Sequence, residues 1–215
     1  MASHLDIKEW ERREHYYFFR DFENPFFTIC ADVDITQTLN YVKQHQLSFF
    51  LASLYLSIAV ANRVKEFRYR IQDDDILIHE RVHPSSTVLN DNKTFSFCYF
   101  KYTKSFSEFN ESSERILRLN REVKQQLASG SHRSDVIYYS VIPWISFKSF
   151  TNLKRNSKKD SIPKIVFGKY YKDGQSMKMP VSVEVNHALI DGFHMGEFFK
   201  YFQEILSEPE QILGL

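Results

Sequence analysis

The stretch SFFLASLYLSIAVANRV, residues 48 to 64, is apolar on almost every side of a helix drawn through it. A helix with no polar face is stable in water only when other elements cover it. The chain must therefore build a core that holds a helix inside it. Its 215 residues are enough for one large domain with such a core. Hydrophobic residues make up 43% and there are only six Gly and six Pro, which excludes a disordered chain.

Around this helix the patterns change type along the chain. FFTICADVDIT (26 to 36) reads as a strand and TQTLNYVKQHQ as a short helix. FRYRIQ and DILIHERV flank the acidic run at 73 to 75 as a hairpin. KTFSFCYFKY (93 to 102) alternates and reads as a strand, and residues 105 to 129 form a long amphipathic helix with a polar outer face. VIYYSVIPWISF is a strand interrupted by Pro143, which predicts a sheet edge or a break. KRNSKKDSIPK (154 to 164) is a polar basic loop, and KIVFGKYY and SMKMPVSVEVN are strands across a KDGQ turn. A last helix, 193 to 207, places Phe198, Phe202 and Ile205 on one face, with Phe199 and Leu206 beside it. No repeat or linker divides the chain, and strands and helices mix without strict βαβ alternation. The expected fold is a single α/β domain over 1 to 215, a mixed sheet covered by helices.

Composition narrows the partners. There are 28 Lys and Arg against 27 Asp and Glu, a net charge of +1. Nucleic-acid-binding domains usually carry a basic excess, so no nucleic-acid partner is expected. No run of 18 apolar residues exists, so no membrane span is expected. The first 15 residues lack the apolar region of a secretory signal. The chain is expected to be soluble and cytoplasmic. Cys30 and Cys98 lie in apolar strand-like runs and read as buried free thiols; two cysteines make neither a disulfide framework nor a zinc site.

The chemistry concentrates in VSVEVNHALIDGFHMGEFF, residues 181 to 199. The strand period puts His187 near a strand end, where catalytic groups are commonly displayed. Gly192 supplies a flexible backbone before the helix. A His suits base work because its ordinary pKa, about 6.5, lies near physiological pH. Asp191 could hold a ring or a cation in place. Spacing alone leaves a structural ion pair as the alternative.

HALIDGFH resembles the H-x-x-x-D-G signature of CoA-dependent acyltransferases, and within them the chloramphenicol acetyltransferase family. WERREH (10 to 15) resembles that family's opening, FRYRIQDDDILIHERVHPSSTV its hairpin, TFSF (94 to 97) its next strand, and SVIPWISFKSF (140 to 150) its S-x-x-P-W segment. The resemblance runs over nearly the whole chain. It implies a two-layer sandwich that assembles as a homotrimer with active sites between subunits. It implies acetyl-CoA as co-substrate, no metal, and a small-molecule hydroxyl acceptor. His187 matches the general base and Ser140 the serine that stabilises the oxyanion. Asp191 and Arg12 match a structural ion pair. Phe18, Phe19, Phe95, Phe150 and Val166 match acceptor-binding positions, and Trp144, Lys169 and Tyr170 match the CoA side. His194 reads as a packing or hydrogen-bonding residue.

The departures cluster around the acceptor. Asn186 stands where the family has a second His, and Val166 where it has a Thr. Glu23, Asn152 and Asp160 fall at apolar or aromatic positions. Either the 152 to 164 segment points its charges outward, or the acceptor is more polar than a nitroaromatic. A related enzyme with another acceptor, and a trimer that binds a ligand without acetylating it, stay open at this point.

Overall fold

The structure is a computed structural model that describes residues 2–122, 133–153 and 160–214. A six-strand path runs β2-β10-β8-β7-β5-β6. Its strands are β2 (Phe26–Asp34), β5 (His83–Leu89), β6 (Phe95–Tyr99), β7 (Val136–Ile142), β8 (Lys164–Gly168) and β10 (Ser176–Asn186). β7 pairs in parallel with β5 and β8, and the other neighbours are antiparallel, so the sheet is mixed. β9 (Tyr171–Asp173) extends the ladder of β10 through a turn at Gly174, whose φ of 60° suits a residue without Cβ. A second sheet joins β1 (Ala2–His4), β4 (Asp75–His79) and β3 (Tyr69–Gln72).

The helices lie on one face of the large sheet. α3 (Phe49–Arg63) is the apolar helix, and Ser48 caps its start by accepting from the Leu51 N–H. It packs against α2 (Thr36–Gln44), α4 (Phe106–Glu122), α5 (Gly192–Ser207), α6 (Glu210–Leu213) and β5. Ten of its fifteen residues are buried, so the demand of its apolar surface is met. A short helix, α1 (Arg13–Arg20), precedes β2.

Strand alternation sorts the sheet into two faces. Val181, Val183 and Val185 of β10 join the core under the helices, with Ile137 and Tyr139 of β7 and Ile165 and Phe167 of β8. Ser182, Glu184, Ser140, Tyr138, Lys164, Val166, Thr28 and Cys30 fall on the opposite face by the period of two, where Ser182, Glu184, Val166 and Lys164 are buried and Tyr138 is exposed.

Several expectations are corrected. β7 ends at Ile142, just before Pro143, so the proline breaks the strand; β7 lies inside the sheet, not at its edge. KIVFGKYY splits into β8 and β9, because Lys169 leaves the ladder and donates its N–H to Ile145 O at 2.9 Å. β5 was not predicted: HPSSTVL has a proline and three hydroxyl residues where a strand pattern would be apolar. Residues 123 to 129 of the predicted long helix lie outside the described residues. On α5, Phe198, Phe202 and Leu206 are fully buried while Ile205 is only partly covered, so the apolar stripe sits slightly rotated. Cys98 is buried, but Cys30 is only partly so, because no helix covers its face of β2.

Candidate active site

His187 follows the last residue of β10. Its N–H donates to Pro25 O at 2.7 Å, which extends the β2–β10 ladder by one bond. Asn186 shapes the turn that follows: its side chain accepts from the Ala188 N–H at 2.9 Å and donates to Asp160 O at 3.1 Å. The Asn186 side chain is thus a buried turn-former. The His187 ring stacks on Phe19 at 3.9 Å between centroids and leans on Phe27 at 4.6 Å. Nδ1 is buried without a hydrogen-bond partner among the described residues, while the residue as a whole is partly exposed. Nε2 is the ring nitrogen not closed off in this way.

Asp191 caps α5. Its Oδ1 accepts from the Phe193 N–H at 3.0 Å, and its own N–H donates to His194 Nδ1 at 3.2 Å, a reciprocal capping box. Arg12 Nη1 contacts Asp191 Oδ2. His194 is nearly buried, 2.9 Å from Asp191 Oδ1 and 3.8 Å from Glu66 Oε1. Burial pushes the Asp191 carboxyl up, but the His194 ring, the Arg12 guanidinium and two backbone N–H groups outweigh it and hold it below the usual range. Arg12 thereby ties the N-terminal segment to the corner that carries His187.

Ser140 lies on the face of β7 opposite the helices, partly exposed, and accepts from Thr87 Oγ1 at 3.4 Å. Register places it opposite Val166 of β8, which faces Ser182 of β10. His187 lies five residues beyond Ser182. At about 3.3 Å per residue and about 4.8 Å between strands, Ser140 and His187 of one chain are roughly 19 Å apart. The structure does not bring these two residues together within one chain.

Other predicted residues fall into groups. Phe18 lies beside Phe19 on α1 and is 64% exposed, on the rim near His187. Phe95 projects from β6 at the opposite end of the same sheet face, edge-on to Phe97. Phe150 packs on Phe147. Val166 is buried beside Ser140. Trp144, Lys169 and Tyr170 gather in one region. The Lys169 N–H donates to Ile145 O, Ser146 Oγ donates to Lys169 O at 2.8 Å, and Tyr170 stands edge-on to Phe49. Gly168 lets this loop approach: an added Cβ would lie 2.6 Å from Pro180 Cγ and 2.9 Å from Phe147 Cε1. Asp160 does not point outward. It pairs with Lys164 Nζ at 2.8 Å. Residues 154 to 159 of the basic loop lie outside the described residues.

Three features escaped the sequence reading. Thr87 lies in the strand that was missed. The Asp191–His194–Glu66 chain joins residues more than a hundred positions apart. Lys164 and Glu184 meet only through strand register, though the outward phase of Glu184 is visible in VSVEVN.

This mixed sheet with helices on one face is a fold that solved acyltransferases have. The solved dihydrolipoamide acetyltransferase of Azotobacter vinelandii shares it at a TM-score of 0.69 and 16% identity, over 93% of this chain and 88% of that one. A solved chloramphenicol acetyltransferase is much more similar, with a TM-score of 0.90 and 28% identity over 96% of this chain and all of the other. The chloramphenicol acetyltransferase of Clostridium perfringens is 30% identical over 212 residues, 98% of this chain and 97% of that protein. The sequence profile described as chloramphenicol acetyltransferase matches residues 2–203. The chain belongs to the chloramphenicol acetyltransferase family and is an acyltransferase. No helix among the described residues is long and apolar enough to cross a membrane.

Proposed function

We propose that the protein moves the acetyl group of acetyl-CoA to a hydroxyl of chloramphenicol or a close analogue, at a site formed between copies of the chain in a cytoplasmic homotrimer. Nε2 of His187 takes the proton of the acceptor hydroxyl. The oxygen attacks the thioester carbonyl, and Ser140 donates a hydrogen bond to the oxyanion. The tetrahedral intermediate collapses, the C–S bond breaks, and the CoA thiolate takes the proton from His187. General-base help of this kind is worth about 10²–10⁴-fold. Trp144, Lys169 and Tyr170 lie on the CoA side, and Phe18, Phe19, Phe95, Phe150 and Val166 on the acceptor side. Asp191 and Arg12 order the corner and move no proton.

The separation of Ser140 from His187 carries the intersubunit reading. Both sit where a second molecule can reach them, and neither can serve the other within its own chain. Two exposed apolar patches support a head-to-tail contact: Tyr17, Phe18 and Phe22 on the His187 rim, and Leu89, Phe95 and Phe97 at the far end of the sheet face opposite the helices. A contact between unlike patches closes into a ring when the rotation allows it.

The test is release of free thiol from acetyl-CoA with and without chloramphenicol, for the wild type and His187→Ala. Chloramphenicol-dependent release that falls at least about 100-fold in the variant supports the reading. Near-normal release by a folded His187→Ala protein overturns it.

A further inference from the structure

We propose that Lys164, Glu184 and Ser182 form a buried polar acceptor subsite on the sheet face opposite the helices, which selects acceptors carrying an oxygen-bearing group away from the reacting hydroxyl. The inference rests on the acetyl-transfer reading of Ser140, and it adds residues that the catalytic steps do not use. Lys164 faces Glu184 on β10 and Tyr138 on β7. Each lies two residues from the Ser140–Val166–Ser182 row, on the same face. Two residues of strand place the Lys164 row about 7 Å from the row that holds Ser140.

The groups on this floor are charged and buried. Lys164 is 9% exposed and Glu184 1%. Lys164 Nζ lies 2.8 Å from Asp160 Oδ2, 3.5 Å from Glu184 Oε1 and 4.6 Å over the Phe26 ring. Thr28 Oγ1 donates to Glu184 Oε2 at 3.3 Å. Stability does not explain such a cluster, because buried ion pairs are often replaceable by apolar side chains at no net loss. A second observation points to a ligand. Ser182 is fully buried, and its Oγ has no hydrogen-bond partner among the described residues. Buried hydroxyls are ordinarily satisfied, and this one lies on the same face as the charged groups, where a ligand oxygen would complete it.

An acceptor group with an oxygen lone pair would accept from Lys164 or Ser182, and one with an N–H or O–H would donate to Glu184. An unsubstituted aromatic ring could do neither, and it would have to desolvate the charges. The subsite therefore favours polar over bare rings while leaving the reacting end unchanged.

The test uses three acceptors that share the reacting hydroxyl: chloramphenicol, its carboxamide analogue in place of the nitro group, and its unsubstituted-phenyl analogue. kcat/KM is measured for each with the wild type, Lys164→Met and Ser182→Ala. The wild type is expected to prefer the better of the two polar acceptors over the bare ring by about tenfold, in line with one charge-assisted hydrogen bond. In Lys164→Met that preference should fall below twofold, with KM for acetyl-CoA unchanged. Ser182→Ala removes a hydroxyl that has no hydrogen-bond partner among the described residues, so it is expected to fold, and it should still reduce the preference severalfold. A wild type with no preference overturns the subsite, as does a preference that survives in both folded variants. Failure of the wild type to release CoA with any acceptor refutes the acetyl-transfer reading itself and takes the subsite with it.

Discussion

Replacing Asp191 by Asn keeps a good helix cap and removes only the charge, whereas Asp191→Ala removes both. The pair therefore separates two contributions that meet on one side chain. Asp191 caps α5 and faces Arg12, whose side chain is 14% exposed and whose Nε and Nη2 are buried without a hydrogen-bond partner among the described residues. Breaking a fully buried ion pair costs about 3–5 kcal/mol. Asp191 keeps 28% of its side chain in water, which lowers the expected cost to roughly 2–3 kcal/mol. Loss of the cap adds about 1 kcal/mol. For a chain of this size 1 kcal/mol moves Tm by about 2–4 °C. Thermal unfolding at pH 7 should then place Asp191→Asn about 5–10 °C below the wild type, and Asp191→Ala about 2–4 °C lower again. The sign with pH follows from the depressed carboxyl. Its stabilisation is complete above its unfolded pKa of about 4 and is lost as pH falls through the lower folded value. The gap between wild type and Asp191→Asn should therefore be full at pH 7 and narrow below pH 4. An Asp191→Asn protein within 2 °C of the wild type at pH 7, or an equally stable Asp191→Ala, would refute the two-part account.

Two further outcomes follow from other parts of the molecule. Gly168→Ala forces a Cβ against Pro180 and Phe147, so it should cost about 1–3 kcal/mol in thermal unfolding and raise KM for acetyl-CoA more than KM for the acceptor. His79 is pushed down to about 4, first by burial and then by the nearby Arg70 charge. The folded state thus binds fewer protons than the unfolded one between pH 6.5 and about 4, and stability drains across that window as pH falls. His79→Asn should flatten the acid limb of a Tm–pH curve there, and an unchanged limb would show that His79 is not its source.

Much of the fold is legible because burial follows period. The valines of VSVEVN announce a strand with one face in the core, and the apolar run at 48 to 64 announces a helix that must lie inside. His187 stands out because the strand pattern stops there. Pairings between distant segments are not legible by pattern. Arg12 meets Asp191 across 179 positions, and only a resemblance pointed to that match before the fold did. Lys164 meets Glu184 through a register that no local pattern fixes. Arg70 shows the limit most plainly. It reads as an ordinary hairpin residue, because arginines are rarely fully buried. In the fold it is 1% exposed and donates to the carbonyls of Phe67, Tyr69, Ser134 and Val136, stitching the hairpin to the start of β7. Only the assembled neighbours show why a charge can sit there.

The central claim is that His187 of one subunit works with Ser140 of another. Subunit mixing tests it directly. His187→Ala and Ser140→Ala are each expected to form nearly inactive trimers. Dissociated, mixed in equal amounts and reassembled, they should form sites that pair an intact His187 with an intact Ser140. In a head-to-tail ring about a quarter of the sites are whole, so acetyl transfer should return to about a quarter of the wild-type rate. A mixture that reassembles fully and stays as inactive as its parents would contradict the account.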